Sequence, residues 1–213
     1  MIVAIVLAAG LSTRMGKPKQ VMQVHGRPML EDVLEVFRQS KVDRILVILG
    51  SHEKEIKKKV KFVNEEIVFN PEYEKGMGSS LKVGLEAAEG ADAVIVALAD
   101  QPMLRVGTID RLINAYLRSR APVVAPVYDG IRGNPVLFDR TLFPQIMRIH
   151  GDVGAKTVIE KNKGSLLEVP VEDEGVVVDI DTPADYNSNC KVDATCNKTG
   201  QRPRRPGLHM YAG

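Results

Sequence analysis

The sequence predicts an α/β fold with a doubly wound, mostly parallel sheet and helices on both faces. Five short runs rich in Val, Ile and Leu recur along the chain. Their nearly continuous hydrophobicity is typical of strands that are buried on both faces. Helical stretches separate most of these runs, and this alternation implies right-handed βαβ units. The chain has 213 residues, 44% of them hydrophobic, which is enough for one such domain.

The predicted elements follow one another in a regular order. The strands are residues 2–8, 44–50, 66–69, 93–99 and 122–127, and the helices are residues 28–40, 52–60, 79–89 and 108–119. One face of the first helix carries four apolar side chains, Leu30, Val33, Leu34 and Phe37. Pro28 suits the first helical position. Ligands of such sheets bind beyond the carboxyl ends of the strands, so the loops after residues 8 and 99 are the first candidates for a site.

Composition and charge argue against several other classes of protein. A net charge of +2 is too small for a surface that binds nucleic acid. The apolar run at the amino end has no basic segment before it and is far shorter than the ~20 residues of a membrane span. We therefore expect a cytoplasmic protein that binds neither nucleic acid nor a membrane.

The end of the chain differs in composition from the rest. Residues 188–213 show no apolar periodicity and are rich in Pro, Gly, Asn and Arg. The two cysteines, Cys190 and Cys196, lie in this segment and lack the spacing of a zinc site or a disulfide framework. The sequence predicts a single domain over residues 1–187 and a flexible tail over residues 188–213.

The loop after the first strand has the composition of a phosphate-binding loop. Gly10 and Gly16 allow backbone N–H groups to approach an anion, and Arg14, Lys17 and Lys19 add positive charge. Each charge-assisted hydrogen bond to a phosphate oxygen contributes about 1.5–3 kcal/mol, so several together hold a triphosphate firmly. Five residues separate the glycines, and a proline follows the first lysine, so the loop is not a Walker A motif.

Two acidic segments predict a metal site. Asp100 follows the strand 93–99 directly, at the edge of the sheet where ligands gather, and a carboxylate there needs a compensating cation. Mg²⁺ fits, because it is held by one or two carboxylates together with substrate phosphates. Asp179 follows a strand-like run of three valines and is the predicted second ligand, with Asp181 as its competitor. Thr182 and Asp185 have the spacing of a capping box at a helix start.

Five blocks in the same order resemble those of the MobA-like nucleotidyltransferases, and especially of the molybdenum cofactor cytidylyltransferases. LAAGLSTRMGKPK with HGRPML opens the resemblance, and NPEYEKGMGSSLKVG, ALADQPML, RGNPVLF with GDVGA, and DIDTPADY continue it, from residue 2 to about residue 186. The resemblance implies a Rossmann-like nucleotidyltransferase fold.

The resemblance also implies roles for individual residues. The implied nucleotide-binding residues are Leu7, Ala8, Ala9, Gly10, Ser12, Arg14, Gly16, Lys19, Gly78, Ser79 and Ser80. Plain capping of a helix N-terminus is the alternative for the last three of these. The implied acceptor-binding residues are Gln101, Arg132, Asn134 and Asp152, although Gly-Asn-Pro and Gly-Asp are also common turn sequences.

By resemblance, the chain is an enzyme that transfers CMP from CTP to molybdopterin carrying molybdenum, with Mg²⁺ as cofactor and Arg14, Lys19 and Asp100 as catalytic residues. A molybdoenzyme is then a possible receiver of the product. GTP is the near alternative to CTP, since only the second alanine of LAAG distinguishes this chain from the LAGG of the guanylyl branch. A sugar-phosphate nucleotidyltransferase, a non-catalytic module that delivers the cofactor, and an NAD(P)-dependent reductase are further alternatives. The missing G-x-G-x-x-G fingerprint argues against the last.

Overall fold

The structure, a computed structural model, describes residues 1–149, 151 and 154–190. Its strands are β1 (Ile2–Ala8), β2 (Gln23–Val24), β3 (Arg27–Pro28), β4 (Arg44–Leu49), β5 (Glu66–Phe69), β6 (Ala93–Leu98), β7 (Val123–Tyr128), β8 (Ile131–Arg132), β9 (Val136–Asp139) and β10 (Leu166–Pro170). Its α-helices are α1 (Met29–Arg38), α2 (Glu53–Lys59), α3 (Met77–Ala87), α4 (Val106–Ser119), α5 (Phe143–Ile146), α6 (Lys156–Lys161) and α7 (Pro183–Cys190).

An eight-stranded sheet in the order β10-β7-β9-β6-β1-β4-β5 is the centre of the fold, with β8 paired to β7. β1 pairs in parallel with both β4 and β6, so that Ile5 lies opposite Leu46 on one side and Val96 on the other. β9 is antiparallel to both of its neighbours, β6 and β7. The sheet therefore consists of two parallel parts joined through one antiparallel strand.

Side chains of β1 alternate between two hydrophobic cores. Ala4 and Val6 pack on the face that α1 and α4 cover, whereas Val3 and Ile5 pack on the face that α3, α5 and α6 cover. Since all four side chains have no exposed surface, the strand is buried on both faces. The prediction of a doubly wound, mostly parallel sheet with helices on both faces is confirmed.

The predicted strands and helices are all present, but some details differ. β2, β3, β8, β9 and β10 have no counterpart among the predicted strands, because the first three have only two residues each and the last two lack a long continuous apolar run. The three valines before Asp179 are not a strand: the first of them ends a 3₁₀ turn, Glu174–Val176. Pro28 precedes α1 as its N-cap residue and does not occupy the first helical position.

The loops that follow β1 and β6 lie side by side, because these two strands are parallel neighbours. The segment 173–181 crosses the same edge of the sheet. The buried carboxylate of Asp173 accepts hydrogen bonds from the backbone N–H of Arg105, the hydroxyl of Thr108 and the backbone N–H of Gly175. Further along, the backbone N–H of Ile180 donates to the carbonyl of Asp100 at 2.9 Å. These contacts bring Asp179 and Asp181 to the end of β6.

The predicted capping box is present at the start of α7. The hydroxyl of Thr182 accepts from the backbone N–H of Asp185, whose carboxylate accepts from the backbone N–H of Thr182 at 2.8 Å. α7 ends at Cys190, so the domain boundary predicted at residue 187 falls inside this helix. The rest of the predicted tail, residues 191–213, lies outside the described residues. Among the described residues, the search for a helix of membrane-spanning length and apolarity found none.

Candidate functional site

A cleft of about 560 Å³ opens at the carboxyl ends of β1 and β6. The loop after β1 forms one wall, and residues 73–77 with the first turn of α3 form the other. Asp100, Asp179 and Asp181 lie at the end where β6 and the segment 173–181 meet. The cleft therefore occupies the place in the sheet that the rule for parallel strands predicts.

A chain of ion pairs crosses the acidic end of the cleft. The ammonium of Lys19 lies 2.5 Å from Asp100 Oδ2 and 2.7 Å from Asp181 Oδ1. The guanidinium of Arg14 lies 3.1 Å from Asp181 Oδ2. Lys19 and Asp100 are 15% and 14% exposed, whereas Arg14 is 67% exposed. The cations of the loop after β1 thus meet the carboxylates of two other segments at one point.

These contacts change the ionisation of the paired groups in opposite directions. Burial lowers the pKa of Lys19, but the charge and hydrogen bond of Asp100, together with Asp181, outweigh burial and raise it above its usual value. Burial raises the pKa of Asp181, but Lys19 and then Arg14 outweigh it and hold this pKa below its usual range. Lys19 and Asp181 therefore both carry their charges near neutral pH.

Asp179 has a different environment, although it belongs to the same cleft. Its Oδ1 accepts a hydrogen bond from Gln101 Nε2 at 2.7 Å. Loss of hydration, followed by the negative charges of Asp100 and Asp181, raises the pKa of Asp179, and the bond from Gln101 offsets only part of this rise. Asp179, which is exposed, thus accepts from a neutral amide, whereas Asp100 and Asp181 contact the ammonium of Lys19.

The donor atoms of this cluster suit a divalent cation held together with phosphate oxygens. Within the described part of the chain, two buried side-chain oxygens lack a hydrogen-bond partner, Asp100 Oδ1 and Gln101 Oε1. An orphaned carboxylate oxygen beside a second, uncompensated carboxylate is the ligand chemistry that Mg²⁺ takes. No group of three or more His, Cys, Asp or Glu side chains in the described residues is arranged to hold a metal alone. A cation at this point would complete its coordination with oxygens of water or of a bound phosphate.

The loop after β1 is held in shape by side chains of the loop itself. Ser12 and Gly16 adopt left-handed backbone conformations, with φ of 52° and 66°. The hydroxyl of Ser12 accepts from the backbone N–H of Lys19 at 3.2 Å, and the buried amide of Gln20 donates to the carbonyl of Ala8 at 3.0 Å. Gln20 was not among the predicted site residues, although it adjoins Lys19 in the motif.

The predicted nucleotide-binding residues of this loop fall into two groups. Those that line the cleft are Leu7, Ala9, Gly10, Ser12, Arg14 and Lys19. Ala8 and Gly16 do not line it: the carbonyl of Ala8 accepts from Gln20, and Gly16 allows the chain to turn. The second group therefore shapes the loop.

Only one of the three predicted residues at the start of α3 lines the cleft. Ser80 does so, and its hydroxyl accepts from the buried amide of Asn70 at 3.0 Å. The hydroxyl of Ser79 accepts from the side-chain amide of Asn70 and donates to the carbonyl oxygens of residues 72 and 76. A Cβ on Gly78 would lie 2.8 Å from the carbonyl of Gly151, so Gly78 allows the close approach of a neighbouring loop. Ser80 thus lines the cleft and Ser79 makes local hydrogen bonds, while the N-cap position of α3 belongs to Gly76 and not to any of the three.

The predicted acceptor-binding residues do not line this cleft among the described residues. The side chain of Gln101 is 1% exposed, so it lies beneath the surface that an acceptor would contact. Arg132 pairs with Glu160 at 3.2 Å. Asn134, which precedes a cis proline, donates its backbone N–H to the carbonyl of Val176. Asp152 lies outside the described residues.

Residues 73–77 line the cleft and were missed by the sequence analysis. Tyr73, the one aromatic side chain among the residues that line the cleft, begins a 3₁₀ turn that ends at Lys75. A Cβ on Gly50 would lie 2.7 Å from both the carbonyl of Ala9 and Tyr73 Cβ, so Gly50 lets the two walls approach each other. The available signal was the block NPEYEKGMGSSLKVG, of which only the helical part was assigned to the site.

Comparison with known proteins matches the sequence to a protein family and the fold to a solved structure. A family model described as the MobA-like NTP transferase domain matches residues 4–166. The chain is 28% identical to the nicotine blue oxidoreductase of Paenarthrobacter nicotinovorans and 26% identical to the molybdenum cofactor cytidylyltransferase of Escherichia coli strain K12. Each of these matches covers 85% of this chain and 92% of the relative. The solved structure of Rv0371C from Mycobacterium tuberculosis H37Rv in complex with manganese superposes with a TM-score of 0.78 at 27% identity, over 90% of this chain and 98% of that one.

Proposed function

The chain belongs to the MobA-like NTP transferase family, and from this membership we propose that it transfers a nucleotide, most favourably CMP from CTP, to the phosphate of a molybdopterin-type acceptor. The observation that carries the proposal is the meeting of Lys19 and Asp100, a phosphate-binding type of cation and a metal-binding type of carboxylate, in a cleft walled by a glycine-containing loop.

The cations of the loop after β1 bind the triphosphate in this proposal. Lys19 and Arg14 offset the charge of the β and γ phosphates, and the exposed position of Arg14 lets it reach a ligand that enters from solvent. Nucleotidyl transfer needs little covalent help from the protein, since its catalysis is mainly alignment and neutralisation of charge. Arg14, Lys19 and Asp100 are the residues we propose to touch the reacting groups.

Asp100, with Asp179 beside it, would hold Mg²⁺. The orphaned Oδ1 of Asp100 and the raised pKa of Asp179 both support a cation at this point. The related Rv0371C structure in complex with manganese is consistent with a divalent ion in such a fold. When bound, Mg²⁺ would neutralise charge on the phosphates next to the reacting phosphorus.

The proposed reaction needs no nucleophile from the protein. An oxygen of the acceptor's phosphate forms a bond to the α-phosphorus of the NTP, while the bond from that phosphorus to the bridging oxygen of pyrophosphate breaks. Pyrophosphate leaves with the electron pair, and the acceptor becomes a dinucleotide. The acceptor's phosphate is already ionised at neutral pH, so the protein supplies orientation and positive charge.

The identity of the substrates rests on similarity and not on the cleft itself. The Escherichia coli relative named molybdenum cofactor cytidylyltransferase supports CTP and a molybdopterin-type acceptor, as does the second alanine of LAAG, Ala9. GTP and a sugar phosphate remain the alternative donor and acceptor. A molybdoenzyme that receives the product belongs to the same proposal.

Oxidoreduction is the second candidate, because the chain is similar to a protein named nicotine blue oxidoreductase over most of its length. A reductase would not require the paired cations and carboxylates of this cleft, and the chain lacks the G-x-G-x-x-G sequence after β1. The proposed transferase binds a nucleoside triphosphate together with a divalent cation, whereas a reductase binds NAD(P)H.

Pyrophosphate exchange tests the proposed function directly. The protein is incubated with Mg²⁺, labelled pyrophosphate, the acceptor and each of the four NTPs in turn, and label in the NTP is measured. We expect exchange with CTP, and a loss of about 10²–10³-fold in Asp100→Asn, as for removal of one charge-stabilising group. Asp129→Asn removes the same charge from an exposed turn and is the matched control. Exchange into no NTP, combined with NAD(P)H-dependent reduction of a dye, would favour the oxidoreductase.

A further inference from the structure

Gln101 is buried where the loop after β6 meets the segment 173–181. Its side chain is 1% exposed. Its Nε2 donates to Asp179 Oδ1 at 2.7 Å and to the carbonyl of Val176 at 3.2 Å. The residue therefore contacts no solvent-borne ligand, but it contacts one of the two carboxylates of the proposed metal site directly.

The orientation of the Gln101 amide is determined by its neighbours. Both hydrogen bonds go to oxygen atoms that only accept, so a reversed amide would place Oε1 against a carboxylate and a carbonyl. In the present orientation Oε1 is buried and has no hydrogen-bond partner among the described residues. A buried amide oxygen without a hydrogen-bond partner is energetically unfavourable. The hydrogen bond from Gln101 to Asp179 is therefore kept although it leaves this oxygen unpaired.

The backbone around Gln101 ties the same two segments together. The backbone N–H of Ile180 donates to the carbonyl of Asp100 at 2.9 Å. The carbonyl of Val176, which accepts from Gln101, also accepts from the backbone N–H of Asn134 at 2.8 Å. Asp100 and Asp179 thus sit on two chain segments that are joined on both sides of Gln101, and the Asp179 side chain is oriented by Gln101 Nε2.

We propose that Gln101 is a positioning residue, which holds the Asp179 carboxylate beside Asp100 so that the two bind a divalent cation together with a nucleoside triphosphate. This inference rests on the proposed function. It gives Gln101 a role different from the acceptor binding expected of it, because a residue under the surface acts through the carboxylate that it touches. Removing such a supporting hydrogen bond commonly weakens metal binding by about 10–100-fold.

Binding of the Mn²⁺–CTP complex to the protein, measured as the change that the protein causes in the electron paramagnetic resonance spectrum of protein-free Mn²⁺–CTP, tests the proposal without catalysis. Gln101→Met keeps the length of the side chain and removes both donors. We expect Mn²⁺ affinity to fall by about tenfold or more in Gln101→Met. In the Asp179→Asn background, where the carboxylate is already gone, the same change should alter affinity by less than about twofold, because residues that act as a unit are not additive.

Thr108→Val is the control for a merely structural effect. This change removes the buried hydrogen bond from Thr108 to Asp173, which lies in the segment that carries Asp179. It alters no contact of the Asp100 or Asp179 carboxylate. We expect it to lower the melting temperature and leave Mn²⁺ affinity unchanged. Equal losses of affinity in Thr108→Val and Gln101→Met, or additive losses in the double variant, would overturn the positioning role.

The same titration separates this inference from the proposed function. If the wild type binds Mn²⁺ with CTP and Gln101→Met binds it equally well, only the role of Gln101 is wrong. If the wild type itself does not change the spectrum of the Mn²⁺–CTP complex at millimolar CTP, the proposed function is wrong and the inference is overturned with it.

Discussion

The ammonium of Lys19 lies 2.5 Å from Asp100 Oδ2, although 81 positions separate the two residues in the sequence. Lys19 is the residue we propose to bind phosphate, and Asp100 the residue we propose to bind the metal. In this proposal, the Lys19–Asp100 contact therefore weakens on binding, because Lys19 turns to the phosphates and Asp100 turns to the metal. The pair links the two binding events, because a cation near Asp100 competes with Lys19 while a phosphate attracts Lys19 away.

Substitution of Lys19 is expected to change the two affinities in opposite directions. Lys19→Met removes the competing ammonium, so Mn²⁺ should bind more tightly without nucleotide. Binding of CTP should weaken by about 10–100-fold, the equivalent of one charge-assisted hydrogen bond of about 1.5–3 kcal/mol. Electron paramagnetic resonance measures the first affinity and calorimetry the second.

Lys17→Met provides the comparison for Lys19→Met, since Lys17 is an exposed cation of the same loop. It should leave the affinity for Mn²⁺ without nucleotide unchanged. A fall of both affinities in Lys19→Met would contradict the competition between ammonium and metal.

Asp179→Asn is expected to make the folded protein more stable at neutral pH. The pKa of Asp179 is raised in the folded state, so the folded state holds this proton more tightly than the unfolded chain does. Stability is therefore lost as the pH rises from the ordinary aspartate pKa of about 3.9 through the raised value, and the neutral asparagine escapes this loss. The melting temperature at pH 7 should rise by at most a few degrees, because the residue is partly screened by solvent.

The pH dependence of that gain checks its cause. Melting curves of the wild type and Asp179→Asn, recorded stepwise from pH 7 downward, should converge near pH 4. A gain that persists unchanged at the lowest pH would mean that packing, and not ionisation, is responsible.

Gly50→Ala is expected to disturb both walls of the cleft. The new methyl group would lie 2.7 Å from the carbonyl of Ala9 and from Tyr73 Cβ, so one wall has to move. Such overpacking lowers the free energy of unfolding by about 1–3 kcal/mol, which urea unfolding measures. We also expect CTP to bind more weakly. Gly107→Ala meets no atom within 4 Å, so it should leave CTP binding unchanged and, because alanine favours the helix, raise stability by at most about 1 kcal/mol. Wild-type affinity in Gly50→Ala would show that the walls adjust freely.

Asp173→Ala is expected to be the most destabilising of these changes. The buried carboxylate accepts three hydrogen bonds, from Arg105, Thr108 and Gly175, and its removal leaves their donors unsatisfied. The expected loss is about 2–4 kcal/mol in urea unfolding, since bonds to charged groups are the stronger ones. A change below 1 kcal/mol would indicate that water replaces the carboxylate.

Much of the fold follows from local patterns in the sequence. The five predicted strands and four predicted helices are present. They could be predicted because the apolar pattern of a strand or helix, and the signals at a helix start, involve residues that are close in the sequence. The capping box of Thr182 and Asp185 is a signal of the same kind. β9 and β10 escaped prediction because β9 lies in the block RGNPVLF, whose polar residues indicate a loop, and a glutamate, Glu168, interrupts the apolar run of β10.

The sequence by itself determined the alternating architecture, the cationic loop after β1, and the position of Asp100 at the end of β6, because each depends on residues that are close in the chain. Only the tertiary structure decided which partners those residues have. It brings Asp181 to Lys19 across 162 positions, and it places Gln101 under the surface against Asp179. The physical reason is that charges and hydrogen-bonding groups choose partners by distance and burial, which the packing of remote segments sets.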